Sequence, residues 1–337
     1  MKTLVKLLAL ILGLVGIFVV YDWLRDNKIP NFAGTADLYV TEDMGPEDVV
    51  SSLESQLTVL SSNRLRKVFR NKDVASFMKP GHYRVTTSCT SVYVARMLNN
   101  GWQSPVSLTL AGSLRTRQEI ARKISRQIRL DSLSVYRALE DSAFLAPYGV
   151  TPETVFAAFF PATYDIYWTA SLEDVLDRCR KASDAFWTDD RLSAAARQGL
   201  SRWQAITLAS IVKGESNYKP ELRKIAGVYL NRIDRGMLLQ ADPTVAFCYD
   251  YELKRVLFRH LEFDSPYNTY KYAGLPPGPI NVPDDYYIEA VLNADRGGGN
   301  LYFCASPNFD GTHVFAKTAD GHARNASAFR KALNNRG

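Results

Sequence analysis

The sequence predicts an α+β protein built from an N-terminal transmembrane helix, a small α+β module and a larger mixed α+β domain. Three observations lead to this architecture. The chain starts with a long apolar stretch, and short strand and helix patterns then alternate along it. Its 337 residues, 46% of them apolar and 23% charged, also suffice for more than one folded core. We place the anchor at residues 1–21, a tether at 22–36, the small module at 37–104 and the large domain at 105–337.

The anchor is predicted from residues 7–21, which carry no charge. Together with the preceding residues they approach the length of about 20 apolar residues that a membrane-spanning helix needs. Lys2 and Lys6 lie before this stretch, so the positive-inside rule places the N-terminus in the cytoplasm and the rest of the chain outside it. A cleaved signal peptide is the alternative. Because neither a small-residue cleavage site nor a lipobox cysteine follows the stretch, we favour an uncleaved anchor.

The charge balance argues against a nucleic-acid-binding protein. Lysine and arginine number 41 against 35 aspartates and glutamates, a net charge of +6 that is mild for this length. It suits an acidic polymer or an anionic membrane surface, but no basic run is interleaved with aromatic residues.

The cysteines do not predict a metal site. They lie far apart, without a CxxC pair or metal-ligand spacing, at Cys89, Cys179, Cys248 and Cys304. One disulfide remains an open alternative. We expect neither a metal nor another cofactor.

The tether and the small module follow from local patterns. Residues 27–36 are polar and punctuated by proline and glycine. Strand patterns are then found at 38–40 and after Lys79-Pro-Gly, and helical spacing of apolar residues at 48–60, 63–69 and 91–99. By composition alone this module reads as a structural spacer.

In the large domain, the first half gives mainly structural signals. A strand is predicted at 106–110 and helices at 116–126, 134–140 and 172–187. An aromatic stretch at 159–168 suits sugar faces, although core packing is the commoner role of such a stretch.

The most informative segment is a strongly apolar helix that begins at Arg202 and runs into Gly214-Glu215-Ser216. It is apolar all round, which predicts a buried helix. The negative end of the helix dipole and partial desolvation would both oppose ionisation of Glu215, and so raise its pKa toward the range of a general acid. The alternative is that Glu215 is a solvated loop residue.

Polar residues fixed by turns follow this helix. A second amphipathic helix is predicted at 221–234, and a hairpin at 300–305 and 312–316. Between them, prolines and glycines punctuate segments rich in Gln, Asp, Asn and Tyr, a pattern typical of rigid loops that grip a polar ligand. These loops are Leu239-Gln-Ala-Asp-Pro-Thr, Ser265-Pro-Tyr-Asn-Thr-Tyr and Gly274-Leu-Pro-Pro-Gly-Pro-Ile.

These motifs resemble a known family. The three loops, with Val212-Lys-Gly-Glu-Ser, Ala226-Gly-Val-Tyr-Leu-Asn-Arg-Ile and Leu301-Tyr-Phe…Gly311-Thr-His-Val-Phe, occur in the order and approximate spacing found in the YceG-like endolytic murein transglycosylases, the MltG family. The resemblance covers nearly the whole chain: an anchor, a LysM-like module and a YceG-like catalytic domain.

The resemblance implies a lyase that cleaves inside peptidoglycan glycan strands, between N-acetylmuramic acid and N-acetylglucosamine, and leaves 1,6-anhydro-muramyl ends. The catalytic residue would be Glu215, acting first as acid and then as base. It also implies an inner-membrane protein with a periplasmic catalytic domain, a role as terminase of nascent glycan, and peptidoglycan synthases as partners. The substrate-binding residues would be Ser216, Gln240, Asp242, Thr244, Tyr267, Asn268 and Tyr270.

Two positions depart from the family pattern. Many relatives carry a second glutamate at the position of Lys213, and an acid is common at the position of Ala162. The first departure favours Glu215 as the catalytic residue, and the second puts substrate contacts from the segment around Ala162 in doubt.

Several alternatives stay open. A lysozyme-type hydrolase would pair Glu215 with a second carboxylate, for which Asp242 and Glu221 are candidates. However, Asp242 could brace its loop and Glu221 could serve a helix N-terminus. His313 matches a family histidine, for which a structural role is the alternative. The remaining hypothesis is that the protein is a non-catalytic peptidoglycan-binding scaffold.

Overall fold

The computed structural model describes residues 2–335 and confirms the predicted mixed α+β class. The chain forms two compact units. The first contains the residues up to Ser107 together with Asp165–Ala170, and the second contains Leu108–Tyr164 and the chain from Ser171 onward. Within residues 2–335 every sheet has two strands.

The first unit begins with a long helix, followed by short helices and strands. Its elements are α1 (Lys2–Asn27), β1 (Phe32–Ala33), β2 (Ala36–Val40), α2 (Pro46–Gln56), β3 (Thr58–Val59), α3 (Ser62–Asn71), α4 (Val74–Phe77), β4 (Gly81–Val85) and α5 (Ser91–Asn100). Helix α1 has the length and composition of a membrane-spanning helix.

The core of the first unit lies between the β2–β4 pair and the helices. These strands are antiparallel, with Leu38 opposite Tyr83 in the register, and both side chains are fully buried. The predicted helix at 48–60 is shorter in the structure, because Leu57 has an extended backbone that ends α2 and leads into β3.

Residues 22–36 do not form the expected tether. Helix α1 continues to Asn27, and Asn31 is completely buried, where its Nδ2 donates hydrogen bonds to Ser91 Oγ and to the Ser61 carbonyl, both at 3.0 Å. Arg64 in turn donates to Asn31 Oδ1 at 2.6 Å. One polar residue of this segment, Asn31, is therefore a buried group whose amide is fully hydrogen-bonded.

The second unit is mostly helical. The chain leaves the first unit within strand β5 (Val106–Thr109) and returns to it within strand β6 (Thr163–Ile166). The other elements of the second unit are α6 (Arg117–Ser125), α7 (Ser132–Ala138), α8 (Ser142–Leu145), α9 (Leu172–Phe186), α10 (Asp189–Arg197), α11 (Arg202–Glu215), α12 (Leu222–Asp234), α13 (Asp242–Cys248), α14 (Asp285–Leu292), β7 (Tyr302–Ala305), β8 (His313–Ala316) and α15 (Ala319–Asn334). Single 3-10 turns occur at Ala146–Tyr148, Val155–Ala158, Lys219–Glu221 and Phe258–Glu262.

Helix α11 is the central element of the second unit, as its all-round apolar character predicts. Every residue from 205 to 212 is buried, and α12, α13 and α14 pack against it. A capping box begins the helix: Ser201 accepts from the Gln204 N–H, and the Gln204 side chain accepts from the Ser201 N–H. The helix ends at Glu215 because Ser216 has an extended backbone, with φ of −154°.

A glycine allows α12 to pack closely. A Cβ at Gly227 would lie 1.9 Å from the Asp295 carbonyl oxygen, so only glycine fits here. We expect Gly227→Ala to lower the free energy of unfolding by about 3 kcal/mol, because either the backbone at 295 or the helix must move. Thermal unfolding measures this. Gly297→Ala is the control, since its Cβ would lie at an ordinary 3.7 Å from Asp295 Oδ1. Equal melting temperatures of the two variants would contradict the expected clash.

Candidate active site

Glu215 lies where three cavities of the second unit meet. It lines a cavity of about 570 Å³, one of about 650 Å³ and one of about 320 Å³, and it is the side chain common to all three. In the order of these three volumes, we call them the polar cavity, the aromatic cavity and the inner cavity. A carboxyl group at such a junction can reach a polymer that extends in more than one direction.

The carboxyl group of Glu215 is largely surrounded by protein. Tyr229 Oη donates a hydrogen bond to Glu215 Oε1 at 2.5 Å. Burial is the largest influence and raises the pKa of Glu215 to about 7, and the nearby charge of Asp242 acts in the same direction. The hydrogen bond from Tyr229 and the charge of Arg232 oppose this shift. Glu215 can therefore both donate and accept a proton near neutral pH.

Tyr229 and Arg232 are candidate site residues that our sequence analysis missed. Both lie on α12 and line the inner cavity with Glu215. Burial raises the pKa of Tyr229 well above its usual value, so its hydroxyl stays a donor. Arg232 is buried and donates to the carbonyls of Leu301 at 2.6 Å and Leu239 at 2.7 Å. Their three-residue spacing on one helix face was the available signal.

Gln240, Asp242 and Tyr270 lie together in the inner cavity. Gln240 is exposed and has a φ of 50°, and its N–H donates to the Thr269 carbonyl at 3.1 Å. Tyr270 Oη donates to Asp242 Oδ1 at 2.6 Å. The expected rigid loop ends earlier than predicted, because Asp242 begins α13 with Pro243 in its first turn, where proline is favourable.

Two other predicted site residues are buried and bonded within the protein. Thr244 is 0% exposed, and its hydroxyl donates to the Ala241 carbonyl at 2.7 Å. Asn268 is also 0% exposed, and its Nδ2 donates to the carbonyls of Leu261 and Phe263, both at 2.8 Å. Both side chains hold the loops that carry Gln240 and Tyr270.

The remaining predicted residues, Tyr267 and Ser216, line different cavities. Tyr267 Oη donates to the Glu153 carbonyl at 2.8 Å, and the residue lines a separate cavity of about 220 Å³ that does not include Glu215. Ser216 lines the aromatic cavity, and its Oγ accepts from the Tyr218 N–H at 3.1 Å.

Lys213, at the position of the second glutamate, lines the polar cavity. Its Nζ contacts Asp284 Oδ2 at 2.8 Å and donates to the carbonyls of Gly112 and Val282, both at 2.9 Å. Three acceptors thus hold this cation, which gives Lys213 a structural role in the cavity wall.

Glu221 is paired with His313. Its carboxylate accepts from the His313 backbone N–H and lies 2.9 Å from the His313 Nδ1. Because the carboxylate of Glu221 is held by His313, Glu221 is not a free partner carboxylate for Glu215. His313 lines the aromatic and inner cavities.

No metal centre is found in the described part of the chain. Within residues 2–335, no group of three or more His, Cys, Asp or Glu side chains could hold an ion. The four cysteines are unpaired.

Comparison with known proteins identifies relatives over much of the chain. The chain is 29% identical over 291 residues to the endolytic murein transglycosylase of Bacillus subtilis (strain 168), which spans 81% of this chain and 79% of that protein. It is 31% identical over 173 residues to the endolytic murein transglycosylase of Streptococcus pneumoniae (serotype 2, strain D39), which is 50% of this chain and 31% of that protein. The pneumococcal match therefore covers under a third of that relative.

A solved structure shares the fold over most of the chain. A YceG-like protein from Listeria monocytogenes superposes with a TM-score of 0.57 at 26% identity, covering 86% of this chain and 98% of the other. The profile of the YceG-like family matches residues 38–328. The match covers most of the first unit after α1 and nearly all of the second, and the chain therefore belongs to the YceG-like family.

Proposed function

We propose that this protein is an endolytic peptidoglycan lytic transglycosylase with Glu215 as its catalytic residue. The observation that carries the proposal is Glu215 itself, a carboxyl group with a pKa of about 7 at the junction of three cavities. The name of the Bacillus subtilis relative, with 79% of that protein matched, supports the same activity.

The reaction uses one carboxyl group in two successive roles. Protonated Glu215 donates its proton to the glycosidic oxygen as the bond from that oxygen to the muramyl C1 breaks. The resulting carboxylate takes the proton of the muramyl C6 hydroxyl, and O6 closes on C1 to form the 1,6-anhydro ring. No water is consumed, because O6 of the same muramyl residue displaces the leaving oxygen from C1, and this internal attack needs no second carboxylate to activate water.

Tyr229 prepares Glu215 for both roles. Its hydroxyl holds Oε1 at 2.5 Å, and we assign the two proton transfers to the other carboxyl oxygen, Oε2. A carboxyl group with one fixed oxygen keeps its orientation through proton donation and proton uptake.

We assign different kinds of substrate contact to different cavities. Tyr218, Phe309 and Phe329 give the aromatic cavity apolar faces suited to sugar rings, and Ser216 lies beside them. Gln240, Asp242 and Tyr270 supply polar groups in the inner cavity. We assign Thr244, Asn268 and Tyr267 to holding these contact residues in place, because their polar groups bond to the protein.

Digestion of purified glycan strands tests the proposal. The full-length protein in detergent is incubated with strands, and the products are identified by mass spectrometry. Internal fragments with 1,6-anhydro-muramic ends are expected. Fragments one water heavier would indicate a hydrolase, and no cleavage by folded protein would favour the non-catalytic scaffold.

A lysozyme-type hydrolase is the second candidate, because Asp242 lines two cavities with Glu215 and its charge raises the Glu215 pKa. The variant Asp242→Asn separates the two mechanisms. For the lyase we expect anhydro products to persist and the alkaline limb of the pH–rate profile to move to lower pH, since loss of this charge lowers the Glu215 pKa. A loss of about a thousandfold or more in rate would instead assign Asp242 a direct catalytic role.

We further propose that α1 anchors the protein in the inner membrane. Lys2 and Lys6 precede its apolar stretch, which supports a cytoplasmic N-terminus and a periplasmic catalytic domain. Protease treatment of spheroplasts should then degrade the second unit, whereas protection of that unit would contradict this orientation.

The family resemblance extends the proposal to the surroundings of the enzyme. The first unit would act as a LysM-like glycan-binding module, and peptidoglycan synthases would supply the nascent strands that the enzyme terminates. Co-purification of a synthase with the membrane-bound protein tests this partnership, and its absence after crosslinking would argue against it.

A further inference from the structure

Glu221 and His313 form a pair that has two contacts and is less exposed than a surface ion pair. One carboxylate oxygen, Oε2, lies 3.0 Å from the His313 backbone N–H and 2.9 Å from Nδ1 of the same residue. The side chains of His313 and Glu221 are only 14% and 16% exposed. A carboxylate that binds both the backbone and the ring of one histidine fixes the position of that ring.

The pairing also decides which ring nitrogen is free. A carboxylate only accepts hydrogen bonds, so Nδ1 carries the proton that is shared with Glu221. In the neutral imidazole, Nε2 then presents a lone pair and acts as an acceptor. Within residues 2–335, Nε2 of His313 makes no hydrogen bond.

His313 lies beside the reacting centre. It lines both the aromatic and the inner cavity, and Glu215 lines both as well. The His313 ring meets Phe303 edge to face at 5.5 Å, and Phe303 meets Tyr229 in the same way at 5.9 Å. Tyr229 in turn holds Glu215, so the ring belongs to the packed wall that carries the catalytic carboxyl group.

We propose that His313 is a substrate-binding residue whose Nε2 accepts a hydrogen bond from a hydroxyl or acetamido N–H of the glycan bound beside Glu215. Glu221 keeps the proton on Nδ1 and so leaves Nε2 as the acceptor. The inference rests on the proposed function, since it names a contact to the same glycan. It gives the histidine a role that a purely structural ring would not have, because a structural ring needs only the Nδ1 contact.

Two substitutions of His313 separate these roles. An asparagine amide nitrogen lies near the position of the histidine Nδ1, whereas a glutamine amide oxygen can reach the position of Nε2. His313→Asn therefore keeps the bond to Glu221 and removes the acceptor in the cavity. His313→Gln keeps an acceptor in the cavity and loses the bond to Glu221.

Glycan binding is measured with both substitutions in the Glu215→Gln background, where no cleavage disturbs the equilibrium. The probe is a purified, uncleaved glycan strand. We expect His313→Asn to weaken binding about five- to tenfold, the size of one lost hydrogen bond, and His313→Gln to stay within about threefold of the background. Thermal unfolding of each variant checks that the fold is retained.

The opposite ranking would overturn the proposal. If His313→Asn binds as well as the background, the acceptor at Nε2 has no role in binding. The proposed function is tested separately, by the anhydro products of the otherwise unchanged protein. A failure of the lyase reaction and a failure of this contact are therefore distinguishable.

Discussion

Replacing Glu215 with glutamine is expected to reduce glycan cleavage about a thousandfold or more while the fold is retained. Glutamine has the same shape and can still accept the hydrogen bond from Tyr229, but it cannot donate and then recover a proton. The measurement is the initial rate of fragment release by full-length protein. A variant that keeps a tenth of the activity would contradict the role of Glu215.

The same substitution should stabilise the protein at alkaline pH. The pKa of Glu215 rises from an ordinary 4.5 to about 7 in the folded state, so the folded chain holds this proton more tightly than the unfolded chain. This contribution is complete below about pH 4.5 and is lost as the pH rises through about 7. Because glutamine does not ionise, we expect the variant to be about 2 kcal/mol more stable than the unchanged protein at pH 8. The difference should be smaller at pH 4. Equal stability at pH 8 would contradict a strongly raised pKa.

Replacing Tyr229 with phenylalanine is expected to lower kcat about tenfold and to move the alkaline limb of the pH–rate profile upward. The hydroxyl both orients the carboxyl group and lowers its pKa, so its removal loosens Glu215 and raises that pKa further. The measurement is a full pH–rate profile of the variant and of the unchanged protein.

A buried tyrosine in the first unit provides the control for Tyr229. Tyr83 is completely buried and donates to the Lys79 carbonyl, so Tyr83→Phe removes a comparable hydroxyl outside the site. Its profile should keep the position of the alkaline limb. A limb that moves downward in Tyr229→Phe would mean that the hydroxyl does not stabilise the ionised carboxylate.

The position of Glu215 was predictable because one local pattern determines it. A run of apolar residues on all faces of α11 requires burial, and Gly214-Glu215-Ser216 ends that run. The expected rise in pKa has burial as its main cause. Local sequence therefore contains both the location and the chemistry of this one group.

The amphipathic pattern that predicts a helix at 221–234 gives Tyr229 only a packing role on the apolar face of that helix. A tyrosine at a buried helix position supplies an apolar ring and a polar tip, and the pattern along the helix does not show what the tip meets. Its acceptor lies on the preceding helix, so the contact depends on how α11 and α12 pack. Arg232 was missed for the same reason, since its acceptors belong to later segments.

The loop motifs contain both residues that line the cavity and residues that support the loops, and the local sequence does not distinguish them. Gln240 and Tyr270 reach the inner cavity, whereas Thr244 and Asn268 point inward and bond to backbone. All four are polar residues between turns, so composition cannot separate contact residues from supporting ones. The return of Asp165–Ala170 to the first unit was likewise unpredictable, because it depends on contacts that are distant in sequence.

The origin of the oxygen at the new glycan end tests the central claim most directly. Strands are digested by the full-length protein in water enriched in oxygen-18, and the fragments are analysed by mass spectrometry. Intramolecular closure by the C6 hydroxyl predicts anhydro-muramyl ends without the label. Labelled reducing ends would show that water attacks C1, and the single-carboxylate mechanism assigned to Glu215 would then be wrong.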